Sequence, residues 1–484
     1  MECQIRISHR FLRATCVLHR WCALFSFTAI AVAWCGCGGS SQSTIGPTAK
    51  ITITLGTSSI QSGDFITLSA VVTDASGNPT GMTLGPVTWG STNETVAKVR
   101  ADGLLLALDP GSTTISANGS GLTGSLPVTV SPSPGAPGSI SFSFGPEEVV
   151  FNYLRDACEA YDVPDVPARA VRLNNGTLML VDGDAPHNYA SYGGDFSSLK
   201  RRCTPIYVSD DNTDPSSFDN QEWIQTVYRD GNVIHALIHN EYHDPFATNC
   251  KPGDTTPANP CWYNSVTYAS STDSGQSFTH AAAPGHIVAP AASVWDPTGS
   301  PAPYGYFEPS NIVKNSDGYY YAVFAAVPKG KSIYTDRAIC AMRTQTLADP
   351  TSWRAWDGTG FNLQMNDPYV GTATFCAIVG NPSPGIDQGL TYNTYLKKYL
   401  LVGGGAYFSL STDFVSWTAM GPMGLPEPHP VAYATIIDHD DSTPNFENSG
   451  RTPYLYFTRF NGTTISAAGL NRDLIRVPMI ITVH

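Results

Sequence analysis

Charge is scarce in this chain. Only 14% of its 484 residues are charged, against roughly a quarter in an average soluble domain. The 27 lysines and arginines are spread thinly and form no patch, which argues against nucleic acid as a partner. The net charge of −13 suits a neutral or cationic partner better and otherwise speaks to solubility. Stretches rich in Ala, Glu, Lys and Leu are missing, so long helices are not expected. Among the cysteines beyond the first 50 residues, Cys-x-x-Cys and Cys-x-x-His spacings are absent, which argues against a zinc site there. The one long apolar run, Trp21 to Trp34, is too short for a comfortable membrane span.

What is abundant points to an all-β protein. Glycine (44) and proline (36) are plentiful, as turns require. A hydrophobic fraction of 42% with 11% aromatics can fill a sizeable core, and the length allows two or three domains. Residues 1–37 read as a sorting signal: Arg6, Arg10, Arg13, His19 and Arg20 precede the apolar run, and a Gly/Ser-rich stretch follows it. Its end, Ala33, Trp34, Cys35, Gly36 and Cys37, resembles a bacterial lipobox, with Trp34 where that motif usually places Leu. The resemblance implies lipidation of Cys37 and an exported lipoprotein at the outer membrane or cell surface. Plain secretion or a periplasmic location is the alternative. Membrane contact is expected only through the lipid.

Five of the 11 cysteines lie in this signal region, and the other six are Cys158, Cys203, Cys250, Cys261, Cys340 and Cys376. An even count in an exported chain favours disulfides. Cys250 with Cys261 is the easiest pair to close. Cys158 with Cys203 and Cys340 with Cys376 follow from neighbourhood along the chain, one of 15 connectivities for six cysteines.

Residues 48–131 alternate apolar and polar positions between Gly, Asn and Asp turns, giving roughly seven short strands in about 85 residues, the pattern of a sandwich. Trp89 to Val99, Asp102 to Leu104 and Pro110 to Ala117 resemble the bacterial Ig-like group 2 family, which implies a spacer or adhesion module. A Pro/Ser/Gly linker at 132–138 closes it.

From 139 to 484 one unit recurs. A β-run, a tight turn and a second apolar run repeat at about 55 to 90 residues, as in a propeller. The turns are Asn174 to Gly176, Arg229 to Asn232, Ser316 to Gly318, Leu396 to Lys398 and His439 to Asp441, several of them Asn-Gly or Asp-Gly. The expected fold is thus all-β: a small Ig-like β-sandwich followed by a five-bladed β-propeller. Ser271 to Phe278 resembles the Asp-box repeat of bacterial neuraminidases. Looser versions stand at Gly194 to Leu199, Leu347 to Trp353 and Ser411 to Trp417. These are read as scaffold.

In such a fold one rim collects the starts of first strands and the ends of second strands, around the mouth of the channel. First-strand starts place Asp162, Asp165, Arg169, Glu222, Glu308, Asp387 and His429 there. Second-strand ends place Asp182, Asp184, His187, His239, Asn240, Glu241, Tyr242, His243, Lys329, Tyr407 and Arg459 there. Tyr306 to Val313 with Asp317 to Tyr321 resembles the third-blade start of arabinanase/xylosidase- and invertase-type glycosidases. That resemblance implies Glu308 as general acid, Asp165 as base or nucleophile, and Glu222 or its rival Glu241 as the tuning acid. Glycoside cleavage needs one carboxyl protonated and one ionised, and clustered acids push their pKa values apart.

Asp182, Asp184, His187, His239, Asn240, Tyr242, His243, Arg169, Tyr407, His429 and Arg459 are the expected sugar-binding residues. Trp223, Trp262, Tyr306, Tyr242 and Tyr407 are candidate stacking surfaces. Each also has a structural reading: Glu308 as a loop tie, residues 239–243 as a polar plug, the aromatics as core. No cofactor is implied, and a structural cation in the channel has no supporting motif. The expected activity is hydrolysis of glycosidic bonds. A non-catalytic glycan-binding propeller or adhesin is one alternative. A sialidase-like hydrolase is the other, suggested by Val166 to Arg169 but short of the arginine triad and six blades of that class.

Overall fold

The structure, a computed structural model, describes residues 49–244, 262–296, 303–331, 333, 336–380 and 389–484. The described residues from 49 onward form one compact unit.

The sandwich occupies the N-terminal part. One sheet orders Lys50–Leu55, Phe65–Thr73, Leu104–Ala107 and Ala97–Val99, and the other orders Thr88–Ser91, Gly111–Gly119 and Leu122–Val130. Alternating residues face inward because side chains alternate along a strand. Ile51, Ile53, Leu68, Leu105, Ile115 and Val128 are buried between the two sheets.

The rest is a ring of antiparallel meanders. The first is Arg169–Arg172, Leu178–Val181, His187–Gly193 and Lys200–Val208. The second is Gln221–Asp230, Val233–His243, Trp262–Ser271 and Ile287–Ala289; the third starts with Tyr304–Phe307 and Val313–Lys314 and continues through Tyr320–Val327, Ala338–Thr344 and Arg354–Ala355. A short parallel pairing of Tyr263 with Tyr304 fuses these two into one sheet. The fourth is Gly389–Asn393, Lys398–Gly403, Tyr407–Ser411 and Trp417–Pro422. The fifth, Val431–Ile437, Tyr454–Phe460 and Arg472–Val483, takes its outer edge from Ile140–Phe144 and Glu148–Asn152 at the other end of the domain. First and last segments share one sheet, so the ring closes without leaving that edge unpaired.

Polar contacts between innermost segments run round the whole circle. Arg169 Nε donates to Gln225 O at 3.2 Å, and Thr226 Oγ1 to Ser310 O at 2.6 Å. Leu390 N donates to Asn311 Oδ1 at 2.8 Å. Gly389 lies against the Thr435 backbone, and Arg169 Nη1 returns to Thr435 Oγ1 at 2.9 Å. The chain is therefore an Ig-like sandwich followed by a β-propeller.

The fifth turn departs from the sequence expectation. Instead of closing tightly at His439 to Asp441, the chain makes an excursion over 438–453 before Tyr454–Phe460 begins. Its middle crosses the turn end of the ring and touches each other meander. Arg172 N donates to Pro444 O at 2.7 Å and Arg229 N to Asn445 Oδ1 at 2.7 Å. Lys314 N donates to Glu447 Oε2 at 2.7 Å, and Tyr392 N to Glu447 O at 3.1 Å. Tyr228 adds its hydroxyl to the Glu447 carboxylate at 3.2 Å. This segment plugs one end of the channel and satisfies backbone groups that strand ends would leave orphaned.

The sandwich is not joined by a bare tether. Leu104, Leu106 and Leu108 pack with Ile480 of the last strand. Arg100 reaches Glu148 at 2.9 Å, Arg451 reaches Asp109 at 2.7 Å, and Lys98 reaches Asp440 at 2.5 Å. Two disulfides, Cys158–Cys203 and Cys340–Cys376, are formed. Cys37, Cys250 and Cys261 lie outside the described residues.

Candidate active site at the rim opposite the plug

Asp165 stands in the lead-in to the first meander, with its amide on Asp182 O at 3.0 Å. Its carboxylate accepts from the Tyr433 hydroxyl at 3.0 Å and forms an ion pair with Arg472. Asp184 follows the second strand of the same meander. Its Oδ1 accepts from the Ala185 amide at 2.7 Å and from Trp223 Nε1 at 2.8 Å. Burial pushes the Asp184 carboxyl well up, and the charge of Asp165 beside it adds to the shift.

Trp223 and His239 are cross-strand partners in the second meander, with rings 5.6 Å apart. Burial holds His239 below its usual range, so its ring is neutral near pH 7; its Nε2 meets Asn264 Oδ1 at 3.1 Å. His239 lies 6.1 Å from the Phe307 ring, over which Arg337 sits at 5.4 Å. Arg337 Nη2 is 2.7 Å from Glu308 Oε2. A path of direct contacts thus runs from Asp184 through Trp223, His239 and Phe307 to Arg337 and Glu308, and Asp165 is near enough for its charge to act on Asp184.

The backbone is strained at this end. Glu308 has φ +43°, Tyr433 +58° and Ala406 +63°, a region that L-residues with side chains avoid. Tyr433 sits where the register of Val431–Ile437 slips between Ala432 and Thr435. Such outliers persist only where the surroundings over-determine them, and they cluster at functional sites.

Several expected residues are placed elsewhere. Glu222 alternates with Trp223 and points away from the mouth: it is fully buried, with Tyr207 OH donating to it at 2.8 Å. Asp182 and Asp162 clamp the buried Arg201 at 2.5 and 2.7 Å, beside the Cys158–Cys203 bridge. Asn240 accepts from Asn220 N and donates to Ser265, and Tyr242 OH donates to Thr213 O. These are internal ties, as the period-2 alternation of 239–243 dictates.

His187 pairs with Glu159 at 2.7 Å. His429 meets Glu427 at 2.8 Å, and Arg459 meets Glu147 at 2.8 Å and Asp473 at 3.4 Å, forming a separate rim cluster. Tyr407 opens a third strand opposite Pro422, and no ring contact or side-chain hydrogen bond among the described residues joins it to the acids. Arg169 lines the channel wall below the mouth. Asp387 lies outside the described residues.

Glu241 and His243 stay near the site. They share the strand face of His239; Glu241 Oε2 is 2.8 Å from His243 Nε2, and Oε1 is 3.7 Å from His239 Nε2. Burial works against the Glu241 charge, but His243 and His239 outweigh it and hold the carboxyl below its usual range. His243 stacks on Trp262 at 5.3 Å. Among the described residues no three His, Cys, Asp or Glu side chains are placed to hold a metal.

Arg337, Arg472 and Tyr433 were not anticipated. Arg337 precedes and Arg472 opens a third strand of its meander. Third strands begin at the rim where second strands end, so a list of third-strand starts would have found both.

Residues 48–130 match the family described as bacterial Ig-like domain (group 2). No curated protein matches the chain. Among solved structures it is similar to an α-L-arabinofuranosidase from Lactobacillus brevis (11% identity, TM-score 0.41, covering 66% of this chain and 91% of that one). It is also similar to an endo-arabinase from Bacteroides thetaiotaomicron VPI-5482 (10% identity, TM-score 0.38, 66% and 95%). A thermostable family-43 glycoside hydrolase gives 10% identity and TM-score 0.36, covering 65% and 91%.

Proposed function

We propose that the chain is an exported, carbohydrate-active propeller that hydrolyses glycosidic bonds at the end of its ring opposite the plug. The observation that carries this reading is the pair Asp165 and Asp184. Asp165 is ion-paired with Arg472, and its neighbour Asp184 is pushed up by burial and by the Asp165 charge. A carboxyl raised by burial beside an ion-paired one supports acid–base cleavage of an acetal. Glu308 is the third acid, reached through Trp223, His239 and Phe307. In this reading Asp165 is the base or nucleophile and Glu308 the proton donor once sugar displaces Arg337. Asp184, its carboxyl pushed well up by burial, stands beside Asp165, and Trp223 offers a ring to the sugar. The sequence signal suits a lipoprotein anchored through Cys37, meeting the membrane only through that lipid. The sparse basic charge suits a sugar and not a nucleic acid.

A second reading has its own support. Asp165 and Glu308 each already hold an arginine, an arrangement that suits a glycan-binding propeller without turnover. The test is hydrolysis of aryl and natural glycosides by the wild type, Glu308→Gln and Asp184→Asn. The substitution that removes the proton donor should lose a factor of about 10²–10⁴ on a natural sugar and far less on an activated aryl glycoside. If the same loss follows Asp184→Asn and not Glu308→Gln, the donor is Asp184. Glycan binding with no turnover of any glycoside would move the assignment to the binding protein.

A further inference from the structure

Glu222 is a fully sealed carboxyl next to the mouth, and the proposed chemistry does not use it. Its exposure is 0%. Oε1 accepts from Tyr207 OH at 2.8 Å, and Oε2 has no well-formed hydrogen bond among the described residues. The backbone on either side is tied down. Glu222 N donates to Ser209 Oγ at 2.9 Å, Glu222 O accepts from Asn188 Nδ2 at 2.8 Å, and Ile224 N donates to Asn188 Oδ1 at 2.8 Å. The residue between them is Trp223, which holds Asp184 at 2.8 Å on the opposite face. A change of charge at Glu222 therefore acts on the strand that carries Trp223 into the mouth.

The groups facing this carboxyl come from three segments. Tyr207 and Asp210 lie at the end of the first meander and just beyond it, Asp219 leads into the second, and His280 and His286 lie on its outer side. His280 pairs with Asp210 at 3.3 Å and lies ring to ring with His286 at 4.8 Å. Burial raises the Glu222 carboxyl to about 7; His280, Tyr207 and the Asp210 amide moderate the shift and the Asp210 charge adds to it. Burial, helped by the charge of His280, holds His286 down at about 4, so it is neutral across the range in which Glu222 titrates. Burial also raises Asp219, and it drives the Tyr207 hydroxyl far up, so that hydroxyl stays a donor throughout.

We propose that Glu222 is a proton-operated latch on the mouth: protonated, it locks residues 209–226 and Trp223 in place, and ionised, it loosens them. The inference rests on the mouth being the functional site proposed above and adds its regulation by pH. The carboxyl holds its proton in the folded chain longer than in the unfolded one. Its contribution is full below the ordinary Glu range and is lost as pH rises through about 7. A single group of this kind changes the folding equilibrium by up to ten-fold per pH unit within that window.

The test needs no sugar, so its failure is separate from failure of the hydrolase reading. Hydrogen exchange is followed on peptides spanning 209–228 at pH 5.5 and pH 8, corrected for the intrinsic pH dependence of exchange. The wild type should lose protection there by about ten-fold or more at the higher pH, and Glu222→Gln should not. Tyr207→Phe removes the donor that favours the ionised form, so its loss of protection should shift to higher pH; this second variant decides the matter if Glu222→Gln folds poorly. Equal protection at both pH values in the wild type, or a Tyr207→Phe transition that stays in place, would overturn the latch.

Discussion

The two ends of the ring are built from the same strands and used in opposite ways. At the plugged end, Asn445 and Glu447 accept from the backbone amides of neighbouring meanders, with the Tyr228 hydroxyl added on Glu447. At the other end, Asp165, Asp184 and Glu308 turn chiefly to other side chains, Tyr433, Arg472, Trp223 and Arg337, with the Ala185 amide added on Asp184. A backbone contact fixes the fold, whereas a side-chain contact can be exchanged for a ligand. The strained Glu308 and Tyr433 also belong to the end opposite the plug. The plug has its own outlier, Phe446 at φ +52°, but that side chain is buried against Ala168, Leu178 and Tyr456. Positive φ is therefore found at both ends, and only at the end proposed as the site does it stand beside ion-paired carboxylates.

The sharpest way to break this comparison is a matched pair of substitutions. Asp165→Asn should lower turnover of a natural glycoside by about 10²–10⁴-fold while leaving Tm almost unchanged. Glu447→Ala should do the reverse. It strands the Lys314 amide and the Tyr228 hydroxyl in a buried site, at a cost of about 2–4 kcal/mol by urea denaturation with kcat retained. Glu447→Gln keeps an acceptor and should be much milder. Burial raises the Glu447 carboxyl, so its charged form weakens the fold as pH rises above the ordinary Glu range. A Glu447→Ala variant that melts normally but loses activity would dissolve the distinction between the two ends.

How far the sequence shows this division depends on which part is asked. The Ig-like strands, the first four hairpin turns and the pairings Cys158–Cys203 and Cys340–Cys376 were legible, because alternation, Asn-Gly turns and neighbourhood are local signals. The plug was not. His439 to Asp441 reads as a tight turn, and nothing local says that Pro444 to Glu447 will meet partners on four other meanders. Counting strand starts and ends put Asp165, Asp184, His239 and Glu308 on one rim, where the structure also places them together. It could not tell which face of a strand each side chain takes. Glu222 and Trp223 are neighbours in sequence and lie on opposite faces, so an offset of one residue separates a sealed carboxyl from a mouth-lining ring.

A smaller effect sharpens the comparison between the sandwich and the ring. Arg100 spans both, pairing with Glu148 at 2.9 Å and lying 5.4 Å from the Tyr454 ring. Arg100→Ala should cost about 0.5–1 kcal/mol, since the pair is partly solvent-screened. It should also lower the coupling between the two parts, seen as a sandwich that unfolds at lower urea than the ring. A single unchanged transition would mean that the Leu104, Leu106, Leu108 and Ile480 contact alone joins them.

The smallest expected effect tests whether the Ser271 to Phe278 turn is scaffold. Burial alone would raise the Asp273 carboxyl, but four hydrogen bonds outweigh it: Ser277 Oγ at 2.6 Å, Ser277 N at 3.0 Å, Ser271 Oγ at 2.7 Å and Gln276 N at 2.9 Å. The result is a carboxyl held down at about 2. A depressed acid stabilises the fold above its unfolded pKa of 3.8, and that contribution fades as pH falls toward 2. Because the side chain is largely exposed, screening reduces the gain to roughly half a kcal/mol or less. Asp273→Ala should therefore lower Tm slightly at pH 6, and the gap from wild type should close as pH approaches 2. Turnover at the mouth should not change, since these bonds serve only their own turn. A loss of activity at full stability would instead give the turn a part in the site.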